Sequence, residues 1–250
     1  MEFKIWLRIA GFVMPICLAC TQAPIKTQEG PKPVQFFNGK EAPLQAAIDA
    51  DDPVAIEKAV NAGADVNAKG LHGATPAEYA VVRMQKTAFK KLLDLGANPN
   101  LRDDSGQNVM TLGVQAYAHY PGYLVEALKA GGNPNTRFND DDPIMMQFLA
   151  EPNPDAIRIL KQNGGDIDVM GRNGDPIVIT AAMVERWDVA WALLEMGAKF
   201  DYPNLPTNMP LAFETPKVTP PDSPLFPYKV KCWKFLKAHG MKLRDLEGAE

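Results

Sequence analysis

Apolar positions along this 250-residue chain recur in phase with a set of glycines. Gly63, Gly96, Gly131, Gly164, Gly197 and Gly240 are spaced by 33, 35, 33, 33 and 43 residues. The seventh and fourth residues before each glycine are apolar in all six cases: Ile56 and Ala59, Phe89 and Leu92, Leu124 and Ala127, Ile157 and Leu160, Ala190 and Leu193, Trp233 and Leu236. The third residue before it is apolar in four: Val60, Leu93, Leu128 and Leu194. Steps of three and four place these side chains on one stripe of an α-helix. A glycine just past the last apolar residue stops a helix, because it enters the left-handed conformation without a Cβ clash. The pattern predicts six amphipathic helices, each closed by its glycine. A period near 33 means a stack of small units in place of one undivided core.

A shorter helix is predicted ahead of each of these. Its start is clearest at Gly73-Ala-Thr-Pro-Ala-Glu-Tyr-Ala80, where Thr75 can cap the first turn and Pro76 occupies the first helical position, which needs no N–H. Ala42-Pro-Leu-Gln-Ala-Ala47, Asp142-Pro-Ile-Met-Met-Gln147 and Asp175-Pro-Ile-Val-Ile-Thr-Ala-Ala182 are the corresponding segments, with Asp142 as the expected cap of its helix.

Together these segments resemble the ankyrin repeat, a helix–turn–helix followed by a β-turn finger. The family phrase Thr-Pro-Leu-His-x-Ala is matched at Thr75, Pro76 and Ala80, with Ala77 and Glu78 in place of Leu-His. The phrase Gly-Ala-Asp-Val-Asn is matched in full from Gly63 to Asn67. The resemblance covers residues 40–243 and implies an all-α ankyrin-repeat solenoid of about six helix–turn–helix units with β-turn fingers. The third unit departs most: Asn108-Val-Met-Thr-Leu112 lacks the proline, and two extra residues lie near Tyr120-Pro-Gly122. The last unit carries about ten extra residues, rich in proline from Thr215 to Pro227.

The N-terminus reads differently. Lys4 and Arg8 precede an apolar run from Ile9 to Ala19 that is too short to span a bilayer and suits a signal-peptide core. Ile16-Cys-Leu-Ala-Cys20 looks like a bacterial lipobox, which makes residues 1–19 a signal peptide and Cys20 the lipidated first residue. Cys17 stands where leucine is typical, and ordinary cleavage after Ala19 or Ala23 is the alternative. Thr21 after the cysteine resembles lipoproteins sent to the outer membrane, so the expected location is the periplasm, on an outer-membrane anchor. Residues 20–39 lack helical periodicity and read as a tether, with Phe36 and Phe37 placed to pack on the first repeat. Residues 244–250 are a tail. With Cys17 removed and Cys20 acylated, Cys232 has no disulfide partner and reads as a buried apolar residue.

Net charge is −4 and the pI about 5.5, which argues against a nucleic-acid partner. His72, His119 and His239 lie in different repeats, without metal-ligand spacing. No nucleophile elbow or phosphate loop occurs. The expectation is a non-enzymatic protein with no cofactor and no metal, monomeric when free, whose partner is another protein.

In the ankyrin arrangement the first helices line a concave face and the fingers project at its edge. Carrying that over places Leu71 and His72 on the first finger, Arg102 and Asp104 on the second, and Arg137, Phe138, Asp140 and Asp141 on the third. Met170 and Arg172 fall on the fourth and Tyr202 on the last, with Arg83 and Tyr117 at exposed first-helix positions. Arg102, Arg137 and Arg172 are spaced by 35 residues and are expected to form a ladder along one edge. Leu71, Phe138, Met170 and Tyr202 are large apolar side chains at turn tips, where small polar residues are usual, and make plausible hot spots. The resulting expectation is a protein-binding lipoprotein, in its sharpest form an immunity protein that inhibits a secreted toxic effector such as a phospholipase or cell-wall hydrolase. The alternative is an envelope scaffold or assembly factor with a resident partner.

Overall fold

A computed structural model describes residues 34–138, 142–151, 153–214 and 219–248. The expected signal peptide, the lipidation site Cys20, most of the tether, Asp140, Asp141 and residues 215–218 lie outside the described residues. The chain divides into two units, Met1–Val34 and Gln35–Glu250, and all elements below belong to the second.

The fold is predominantly α-helical. Twelve helices occur among the described residues: α1 (Ala42–Asp49), α2 (Pro53–Asn61), α3 (Pro76–Val82), α4 (Lys86–Asp94), α5 (Val109–Gln115), α6 (Gly122–Lys129), α7 (Gln147–Ala150), α8 (Pro154–Gln162), α9 (Ile177–Met183), α10 (Trp187–Glu195), α11 (Met209–Glu214) and α12 (Phe226–Ala238). The short strands β1 (Arg137–Phe138) and β2 (Asp142–Pro143) pair antiparallel. Odd and even helices pack pairwise as α1–α2, α3–α4, α5–α6, α7–α8 and α9–α10. Contacts also run α1–α3–α5, α2–α4–α6 and α8–α10–α12, and α11 rests on α9.

The apolar stripe accounts for this packing. Ile56, Phe89, Leu92, Leu124, Ala127, Ile157, Leu160, Ala190, Leu193 and Leu236 are all buried, whereas Trp233 is half-buried. Each stripe ends as the periodicity predicts. The six repeat glycines have φ between 84° and 100°. In the first unit Gly63 N–H donates to the Val60 carbonyl and Ala64 N–H to that of Ala59, at 2.9 and 3.1 Å. The same pair of bonds recurs at each of the other five glycines, so carbonyls orphaned at the helix end find donors. The residue that supplies the buried side chain therefore also supplies the capping carbonyl.

Helix starts follow local chemistry. Thr75 and Glu78 form a reciprocal capping box, with Thr75 N–H donating to Glu78 Oε2 at 2.6 Å. The proline-less third unit substitutes Asn108 and Thr111, which exchange the same two bonds. Asp142 departs from expectation. It lies in β2 and is followed by a 3₁₀ turn, Ile144–Met146, and the four-residue α7. Its carboxylate turns to Arg172, so it does not cap a helix.

At the N-terminal end Phe37 is buried, and the Phe36 and Phe37 N–H groups both donate to Gln45 Oε1, at 2.8 and 3.0 Å. Phe37 meets Tyr79 edge-on, at 5.9 Å between ring centroids. These contacts tie the segment before α1 to Gln45 of α1 and to Tyr79 of α3.

Candidate functional site

The turns that follow the glycines are built on one plan. Asp65, Asn98, Asn133 and Asp166 each accept the N–H two residues on, at 2.8 to 3.0 Å. These Asx turns hold the chain locally without a β ladder. Two residues further along, Asn67, Asn100 and Asn135 each bridge to the next unit. Asn67 Nδ2 donates to the Gly96 carbonyl while its Oδ1 accepts the Asn98 N–H, at 3.2 and 2.8 Å. Asn100 does the same with Gly131 and Asn133, and Asn135 with Gly164 and Asp166. Asp168 has no amide to donate and only accepts, from Lys199 N–H. Side-chain amides thus join successive turns through main-chain groups.

A second ladder lies nearby. Lys69 Nζ donates to the Arg102 carbonyl. Arg102 Nη2 donates to the Arg137 carbonyl at 3.3 Å, and Arg137 Nη2 to the Met170 carbonyl at 3.0 Å. These four residues share one register, six past their glycines. The expected arginine ladder is thereby corrected. The third unit is two residues longer, so equal steps of 35 shift Arg172 two places past the register of Arg102 and Arg137. Lys69 is the first rung instead, and Arg172 serves another contact. Its Nε donates to Asp142 Oδ2 at 2.7 Å and its backbone N–H to Oδ1 at 2.9 Å. Burial pushes the Asp142 carboxyl up, but these bonds and the Arg172 charge outweigh it and hold the group below the usual carboxylate range.

The predicted tip residues divide into two groups. Leu71 is 42% exposed, Met170 38%, and His72, Asp104 and Arg172 are exposed as well. His72 sits at φ 57°, and its carbonyl accepts the Asp104 N–H at 3.0 Å. A Cβ on the adjoining Gly73, itself at φ 71°, would fall 2.4 Å from the Asp104 carboxylate. The first two turns therefore meet at a point where only glycine fits. Phe138 and Tyr202, by contrast, are half-buried and pack against the core, so they are not free aromatic tips. Pairing of β1 with β2 carries Phe138 inward, and the Tyr202 hydroxyl is buried without a hydrogen-bond partner.

Of the two first-helix candidates, Tyr117 is corrected and Arg83 is exposed as expected. Tyr117 is only 7% exposed, and its ring meets Phe148 edge-on at 5.8 Å. The extra residues of the third unit fall just after α5 and place Tyr117 inside. Arg83 is exposed but engaged: its Nε lies 3.3 Å from Asp49 Oδ1, which also accepts the Tyr79 hydroxyl at 2.8 Å.

Between the ladders lies a polar cleft of about 410 Å³, lined by Asn100, Arg102, Asn108, Asn133, Asn135, Thr136 and Arg137. A smaller cavity of about 240 Å³ lies beside Asp142, Arg172, Asp175 and Thr180. Among the described residues, no group of three or more His, Cys, Asp or Glu side chains is placed to hold a metal ion. Cys232 is fully buried, and that burial pushes its thiol well above the ordinary range. No helix among the described residues is long and apolar enough to cross a membrane.

The arrangement offers polar turn edges and exposed apolar tips suited to contact with a macromolecule. The two ladders were missed by reading the sequence for exposed types. Their signal was present as Asn or Asp two and four residues after each of the first four glycines, and as a cation four positions beyond the first of these in three successive units.

No protein-family model matches the chain. A stretch of 67 residues is 33% identical to the ADP-ribosylation factor GTPase-activating protein AGD2 of Arabidopsis thaliana. That stretch is 27% of this chain and 9% of the plant protein, and it is about twice the glycine period.

Proposed function

We propose that the chain is an ankyrin-type repeat protein that acts by binding another protein and performs no catalysis itself. The observation that carries this reading is the register of the turns. Asn67, Asn100 and Asn135 tie each turn to the next through the same two bonds, which holds a row of tips at fixed mutual positions. A row preorganised in this way loses little conformational entropy when a partner docks. The local likeness to the plant protein spans about two units, as a shared repeat would, and gives no reason to transfer that protein's activity.

The partner surface consists of Leu71, His72, Arg83, Asp104, Met170 and Arg172, the candidates that are exposed. With the lipobox-like Cys20 as anchor, the protein works in the periplasm at the outer membrane. There it serves as an immunity protein that covers the active-site mouth of a delivered phospholipase or cell-wall hydrolase. The test is deletion of the gene followed by exposure to the toxic enzymes encoded nearby, with complementation by wild type and by a Leu71→Ser/Met170→Ser variant. Sensitivity to one enzyme, rescued by the wild type and not by the variant, is the expected result. A deletion strain no more sensitive to any such enzyme sinks the immunity reading. An envelope defect without any toxin would point to a scaffold.

A further inference from the structure

The C-terminal helix stands apart in charge. From Phe226 to Arg244 the chain carries six basic residues, Lys229, Lys231, Lys234, Lys237, Lys242 and Arg244, and no aspartate or glutamate. Set against a net charge of −4, removing those six leaves the remainder at −10, so this segment is a basic island on an acidic protein. The helix sorts its lysines. Lys229 is 6% exposed and lies over the buried Trp187 ring at 5.1 Å. Lys231, Lys234 and Lys237 follow at steps of three, share the outward face of α12 and are exposed.

Aromatic rings accompany them. Lys231 Nζ lies 5.6 Å from the Trp191 ring and 5.3 Å from that of Tyr228, and Lys237 Nζ lies 4.3 Å from the Trp233 ring. Tyr228 is exposed, and Trp191 and Trp233 are half-buried. Trp233 Nε1 donates to the Arg244 carbonyl at 2.8 Å, which folds the segment bearing Lys242 and Arg244 back beside the helix. Among the described residues Asp245 reaches this face, its exposed side chain lying 3.1 Å from Lys237. An ion pair that open to water is readily exchanged for another anion.

We propose that the outward face of α12 docks on an anionic phospholipid surface. Lys231 and Lys237, whose ammonium groups lie over tryptophan and tyrosine rings, match the interfacial layer, where amphipathic rings sit at headgroup level beside the lipid phosphates. An acidic protein would satisfy the charges alone and gives no role to the rings around them. The contact is separate from the partner surface proposed above and does not depend on lipidation at Cys20.

Residues 21–250, which contain the whole compact unit from Gln35 onward, allow a test free of any lipid chain. Sedimentation with phosphatidylcholine vesicles is compared with vesicles containing about one-third phosphatidylglycerol, at low and at raised salt. Binding to the anionic vesicles alone, weakened by salt, is expected. Each lysine at such a surface contributes about a fivefold gain, so Lys231→Gln/Lys234→Gln/Lys237→Gln lowers partitioning about a hundredfold. Lys40→Gln/Lys58→Gln/Lys90→Gln removes the same charge from exposed sites elsewhere and leaves binding near wild type. Equal loss in both variants, or no preference for anionic vesicles, overturns the proposal. Binding to polyglutamate without binding to vesicles assigns the face to an acidic protein and overturns it too.

Discussion

Asn100 shows how much one side chain carries. Its amide donates to the Gly131 carbonyl at 2.9 Å and accepts the Asn133 N–H at 2.7 Å. Asn100→Ala loses both bonds and is expected to cost about 1–3 kcal/mol in urea unfolding. Asn100→Asp keeps the acceptor and loses the donor, as Asp168 does naturally, and is expected to cost less. Met84 runs the other way: it is exposed, with φ 58° in the left-handed region. Met84→Gly removes that strain and is expected to raise stability by about 0.5–1 kcal/mol, read in the same assay. Glu78 supplies a pH dependence. It is 2% exposed, its Oε1 has no hydrogen-bond partner, and burial pushes its carboxyl from 4.5 to about 7 despite the bonds from Thr75. The raised group contributes stability that is complete below the unfolded value of 4.5 and is lost as pH rises through about 7. Wild type is therefore expected to melt at a lower temperature at the alkaline end of that window than at its acid end, and Glu78→Gln should flatten that difference.

At the scale of the element, most of the helices were legible because they obey a local rule. An apolar stripe ends at a glycine, and most of the first helices have a recognisable start. Elements that answer to another unit were not. Asp142-Pro143 has the form of a cap, but the carboxylate is drawn to Arg172, thirty residues later in sequence, and a strand pair forms in its place. Tyr117 has the spacing of an exposed position, yet the insertion after α5 turns it toward Phe148. The loop before α12 is another such case. Thr219 is buried, accepts the Trp187 indole N–H at 3.1 Å and donates its hydroxyl proton to Glu185. Thr219→Val leaves two polar groups on α10 and its approach without their partner. It is expected to cost about 1–3 kcal/mol and to quicken proteolysis within residues 219–225.

At the scale of the molecule, each helix pair touches chiefly its neighbours, so damage should stay local. Phe37→Ala opens the cover over α1 and is expected to speed hydrogen exchange in α1 and α2 while α9 to α12 keep their protection, as mass spectrometry of peptides would show. The rungs from Lys69, Arg102 and Arg137 carry a further consequence. Each ends on a carbonyl of the next turn, a group that every amino acid possesses. The residues beside that carbonyl can be exchanged without cutting the link. Structural support and surface identity are therefore separately heritable here, and the tips can be rewritten while the frame beneath them stays the same.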